Sequence, residues 1–145
     1  LAGRKTTGKN GALPLKLLAE GKELADKLAA VEPAAAQQLA QAIEKAEQSI
    51  ARMVGYADRP ALAAAASNAY LQQMGLTLGA IGLARAYLAA EAAQVEDADG
   101  FGSGFYAAQQ HNARVYCAHV LPQVYACAAQ IENAQALLDV PLELY

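Results

Sequence analysis

Tryptophan is absent from this chain, and phenylalanine occurs only twice in its 145 residues. Much of the 55% hydrophobic content is alanine, the strongest helix former and a residue that buries little area, so the shortage points to closely packed helices. Cysteine is scarce too. Cys117 and Cys127 read as members of one helix, where ten residues set them about 15 Å apart, beyond disulfide reach. With no CxxC pair and no secretory signal, the expected setting is a reducing cytoplasm. Long apolar runs are missing: the longest, Met74 to Ala84, is too short and too rich in glycine and alanine to cross a bilayer. No stretch sustains a period of two, so no sheet is expected. The first residue is Leu1 rather than Met, which reads as a processed chain or a part of a longer one.

Charge of one sign is also not in excess. The net charge is −3, and the basic residues are few and dispersed, unlike a nucleic-acid surface. They are unevenly placed: residues 1–31 hold six Lys/Arg against three acids, and the remainder five against eleven. A basic N-terminal segment against an acidic body suggests a junction with another protein region.

What is present reads as helix. Residues 1–11, rich in Gly, Thr and Lys, form an expected irregular lead-in. A first helix from about Ala12 to Ala30 has Leu13, Leu17, Leu24, Leu28 and Val31 at helical spacing. Pro33 suits the first turn of a second helix over roughly 34–54, where Leu39, Ile43, Ala46, Ile50 and Met53 step by four and three as in a two-helix seam. After Gly55, Pro60 opens a long third helix reaching about Ala93, apolar almost all round in its centre and therefore expected to be the most buried. Its Gly75, Gly79 and Gly82 each cost about 1 kcal/mol relative to alanine, which suggests a close-approaching neighbour; a ligand against that face is the alternative. Residues 96–104 form an acidic loop. A fourth helix from about Ser103 to Ile131 carries Ala113, Cys117, Val120, Val124, Cys127 and Ile131 on one stripe, with Pro122 expected to kink it. Residues 134–145 are a short tail. Short connections favour an all-α, antiparallel up-down four-helix bundle over 12–133, with long third and fourth helices.

Several motifs tempt and fail. Gly3 to Asn10 nearly spells a phosphate-binding loop, but Asn10 replaces the Ser or Thr that would hold Mg²⁺ and no strand precedes it. The GFGSG run at 100–104 lacks the strand and the spacing of a dinucleotide fingerprint. His111 and His119 lie about 80° out of phase and about 12 Å apart on a helix, so they cannot share a metal. Ala118-His119-Val120-Leu121 is similar to the phospho-accepting run of histidine phosphotransfer domains, although Pro122 and Gln123 stand where Lys and Gly would follow. Cys117 and His119, two apart, point away from each other, and no nucleophile–base unit can be nominated.

The third and fourth helices carry a more specific likeness. Asn68-Ala69-Tyr70-Leu71, Gly75, Gly79 and Leu83-Ala84-Arg85-Ala86, then Ala113-Arg114-Val115-Tyr116 and Ala118-His119-Val120-Leu121-Pro122, resemble the C-terminal helical extension of large acyl-CoA dehydrogenases. Leu1-Ala2-Gly3-Arg4-Lys5 resembles the segment after the catalytic carboxylate of that subfamily. The resemblance implies a parent enzyme that binds FAD and oxidises acyl-CoA thioesters at the α,β carbons, with the glutamate base lying before the segment that matches Leu1. It implies no catalytic, cofactor or metal residue in this chain, and partners that are the catalytic core of its own parent and a second copy in a dimer. Gly75, Gly79, Gly82, Arg85, Arg114, Tyr116 and His119 are the candidates for structural or interface roles, with Arg85 expected to be buried against a carboxylate or carbonyl. Two other classes stay open: a stand-alone helical interaction module, and phosphotransfer through His119.

Overall fold

The computed structural model describes residues 2–96 and 100–139. Leu1, residues 97–99 of the expected acidic loop and residues 140–145 of the expected tail lie outside them. Among the described residues every regular element is helical: α1 (Ala12–Ala29), α2 (Pro33–Gly55), α3 (Pro60–Glu96), α4 (Ser103–Val115) and α5 (Gln123–Glu132).

Proline marks the boundaries as expected. Pro33 and Pro60 each occupy the first position of their helix, where the missing N–H has no partner to lose. The seam on α2 is fully buried, with Leu39, Ile43, Ala46, Ile50 and Met53 all inside. Gly21 of α1 meets it from across the core. A Cβ on Gly21 would lie 2.5 Å from Ile81 Cδ1 and 3.0 Å from Ile43 Cδ1, so a larger residue here would have to push both isoleucines aside where α1, α2 and α3 meet.

The buried edge of α1 differs from the one its leucines suggest. Pro14, Leu18, Gly21, Ala25 and Leu28 face the core, whereas Leu13, Leu17 and Val31 are exposed and Leu24 is half-buried. Two apolar stripes lie side by side on this helix. The one made of smaller residues faces inward, because it allows the closer helix approach.

The fourth helix is interrupted. Between α4 and α5 the chain widens into a π-helical turn, Tyr116–Val120, and the Leu121 N–H donates to the Tyr116 carbonyl at 2.9 Å, five residues back. Pro122 follows directly and has no N–H to give, so the wide turn absorbs the break. One consequence is that Leu121 is buried and Val120 only half-buried, reversing the expected stripe at that step.

The lead-in is wound rather than irregular. Ala2–Thr6 forms a π-helical turn and Thr7–Lys9 a 3-10 turn, with the Thr7 hydroxyl donating to the Gly3 carbonyl at 2.7 Å. Thr6 is fully buried, and its Oγ1 lies 2.9 Å from the hydroxyl of buried Tyr70 on α3. A run that resembles a phosphate-binding loop is thus packed against helices, with no strand among the described residues to support that chemistry.

Candidate functional site

The candidate residues separate into a connected cluster and a set of exposed positions. The cluster lies where α4 and the wide turn cross α3. Tyr116 lays its ring along α3 and donates its hydroxyl to the Leu76 carbonyl at 3.1 Å. A Cβ on Gly79 would stand 2.7 Å from that hydroxyl, so the glycine is the seat of the tyrosine. A side chain, not a neighbouring backbone, uses the space. Burial raises the Tyr116 phenol above its ordinary value.

Two residues earlier, Arg114 ties three helices. Its Nε donates to Glu32 at the mouth of α2, and its Nη2 donates to the Tyr87 hydroxyl of α3 at 2.9 Å. The guanidinium carbon also sits 5.4 Å from the centroid of the Tyr87 ring, within cation–π range. Glu32 is the main cause that raises the Arg114 guanidinium above its usual value. Gln110 extends the junction by donating to Glu91. These are connections between helices.

Deeper along the same interface, Gln73 is fully buried on α3 and donates to the Val124 carbonyl of α5 at 3.2 Å. Thr77, also buried, donates back to the Gln73 carbonyl. Neither residue was singled out in the sequence, because polar side chains within an alanine-rich helix normally face water.

The remaining candidates lie outside the cluster. Gly75 and Gly82 are exposed, and a Cβ on either would meet nothing within 4 Å. Arg85 is exposed and makes no hydrogen bond or ion pair among the described residues, which corrects the expectation of a buried, paired arginine. Ala84 and Tyr87 take the inward positions around it. His119 and His111 are both exposed, and no group of His, Cys, Asp and Glu that could hold a metal occurs among the described residues. Cys117 and Cys127 are free and buried. Burial pushes the Cys117 thiol up to about 11, away from the range in which a thiol acts as a nucleophile.

An open apolar groove of about 310 Å³ lies between the end of α3 and the start of α4, lined by Ala86, Ala90, Ala93, Phe101, Phe105 and Tyr106 among others. Among the described residues its lining holds no carboxylate, histidine, cysteine or lysine. No helix among the described residues is long and apolar enough to cross a membrane.

The comparison with known families decides the assignment. The family described as acetyl-CoA dehydrogenase C-terminal like matches residues 17–141. The chain belongs to that family. No curated protein and no solved structure is a match to it. The acetyl-CoA dehydrogenase C-terminal-like match spans every described α-helix apart from the first turn of α1, and includes the cluster of Arg114, Tyr116, Gly79 and Tyr87. Arg114 and Tyr116 of that cluster each hydrogen-bond to groups on other elements of the chain.

Proposed function

We propose that this chain is the C-terminal helical domain of an FAD-dependent acyl-CoA dehydrogenase. The parent enzyme would catalyse α,β-dehydrogenation of acyl-CoA thioesters in fatty acid metabolism, in the cytoplasm. The domain has a structural and interaction role: it packs on the catalytic core of its own chain and supports a homo-oligomer, and FAD and acyl-CoA bind elsewhere in the parent. The family match over residues 17–141 carries this reading. The polar network adds support, because Arg114 links Glu32 and Tyr87 across helices.

The architecture that fits this role is an antiparallel up-down-up-down bundle. Lys22 on α1 pairs with Glu47 on α2 at 2.7 Å, while Gly11, earlier in the chain, lies against Ile50 and Val54, later in α2. Counting in opposite directions along the two helices supports their antiparallel packing. Arg114 meets Tyr87, Tyr116 meets Leu76 and Gln73 meets Val124, the same reversal between α3 and the α4–α5 rod. Glu32 with Arg114 and Arg52 with Glu132 count in one direction, as the second and fourth members of such a bundle do.

The test is made on the native polypeptide, recovered with an antibody raised to this chain. A protein several times larger, yellow with bound flavin and reducing a dye when given acyl-CoA, is the expected result. A native product no larger than this chain, or a larger one without flavin, overturns the proposal.

A further inference from the structure

We propose that the cleft between α2 and α5 binds a small tetrahedral oxyanion, a phosphate group in its chemistry. The cleft has a volume of about 90 Å³ and is lined by Lys45, Gln48, Ser49 and Arg52 of α2 and by Ala128 and Glu132 of α5.

Helical spacing gathers the donors of α2. Lys45, Ser49 and Arg52 stand four and three residues apart, within about 60° of one another around the axis. Ser49 adjoins the buried seam and is only 5% exposed, yet its hydroxyl has no hydrogen-bond partner among the described residues. A serine or threonine inside a helix can turn its hydroxyl to the carbonyl four residues back, as Thr77 does to Gln73. Ser49 leaves that bond unmade and lines the cleft. Lys45 is half-buried, and its ammonium donates only to the neutral amide oxygen of Gln48, at 3.0 Å. A partly desolvated cation with no opposite charge beside it is unfavourable.

The balance of donors and acceptors selects the ligand. Lys45 brings three N–H bonds, Ser49 a hydroxyl, and Arg52 the N–H groups that Nη2 does not use. Among the described residues of the lining the one carboxylate is Glu132, which Arg52 Nη2 already holds at 2.7 Å. The Gln48 amide nitrogen is turned to Glu44, at 3.4 Å. Two cations against one carboxylate leave the lining with a net charge of +1. A metal ion would meet a single carboxylate and two like charges. An apolar ligand would cover Lys45 and the Ser49 hydroxyl without pairing either. An oxyanion with several acceptor oxygens can accept from Lys45, Ser49 and Arg52 together, through charge-assisted hydrogen bonds. The cleft has room for the anionic group alone, so any larger molecule that carries it stays outside.

Titration calorimetry of this chain with inorganic phosphate, at ionic strength held constant with sodium chloride, reads the proposal. Saturable binding is expected. Ser49→Ala should weaken it about tenfold without lowering the melting temperature in chloride, because the hydroxyl has no partner to lose. Lys45→Gln should remove it, whereas Lys27→Gln, on the exposed side of α1, should leave it unchanged. Methyl phosphate separates the sources: equal affinity indicates the phosphate end of a larger molecule, and weaker binding than inorganic phosphate indicates the free ion. Heats that do not saturate, an affinity that Ser49→Ala leaves as it was, or equal losses in the Lys27 and Lys45 variants overturn the site. Neither flavin nor acyl-CoA takes part, so these outcomes do not depend on what the parent enzyme does.

Discussion

Tyr116 and Gly79 occupy each other's space: the tyrosine hydroxyl reaches the Leu76 carbonyl only because residue 79 has no side chain. Replacing Gly79 by leucine should displace the ring and lose that hydrogen bond, at a cost of about 1–3 kcal/mol for overpacking. Gly75→Ala is the control. Its new methyl meets no atom, so helix propensity should raise stability by up to about 1 kcal/mol. Urea unfolding of the two variants should shift in opposite directions; a parallel shift would remove Tyr116 as the reason for Gly79.

The lead-in should unfold with the α-helices because Thr6 and Tyr70 share a buried hydrogen bond. Thr6→Val and Tyr70→Phe each leave one buried polar group without its partner, at about 1–3 kcal/mol. The double variant should cost less than the two singles together, since it leaves neither group stranded. Additive losses in a double-mutant cycle would show that the two hydroxyls act separately.

Alkaline pH should weaken the fold through Cys117. Burial holds its thiol at about 11 against an ordinary value of 9.0, so the folded chain keeps a proton that the unfolded chain gives up. The sign follows from linkage: the contribution is full below pH 9 and is lost as pH rises from 9 to 11, amounting to roughly 2–3 kcal/mol. Tyr70 and Tyr116, also raised by burial, act in the same direction at higher pH. Cys117→Ala should flatten the fall between pH 9 and 11 in urea midpoints measured across that range, and an equally steep fall would refute the assignment.

Arg114 should be worth less than its three contacts suggest. Its side chain is 49% exposed in the pair with Glu32, where solvent screening limits an ion pair to about 0.2–1 kcal/mol. Arg114→Lys keeps the charge but loses the planar stacking on Tyr87. The lysine variant should therefore recover only part of the loss seen in Arg114→Ala, and the remainder should persist in high salt. A loss abolished by salt would mean that the Tyr87 contact contributes nothing.

Helix identity and boundaries were legible because they rest on local chemistry: Pro33, Pro60 and Pro122 punctuate the chain where they must, and the α2 seam alternates by four and three without interruption. The orientation of α1 was not legible. Its leucines and its small residues form two stripes, and a count of apolar residues favours the leucines, whereas close packing favours Gly21 and Ala25. Arg85 was misplaced for a related reason. Alanine and glycine neighbours look apolar in sequence, yet on α3 they cover exposed surface as readily as core. Tyr116 and Arg114 were legible as positions with polar work to do, but their partners Leu76, Glu32 and Tyr87 lie 27 to 82 residues away, and only the tertiary structure supplies them.

The wide turn at Tyr116–Val120 makes the second half of the chain sensitive to length. Its five-residue hydrogen-bond span holds one more residue than an α-helical turn. Deleting that residue would let the turn narrow to ordinary helix with the later side chains still in place, but it would set Pro122 inside that helix, where its ring meets the carbonyl four residues back. Adding a second residue, which the turn has no room to take up, would rotate every later side chain by about 100° around the axis. Val124, Cys127 and Ile131 would then swing out of the core, and Arg52 would lose Glu132. The fold can exchange many side chains for others of similar size, but at this point it cannot gain a link of backbone without miscounting the rest.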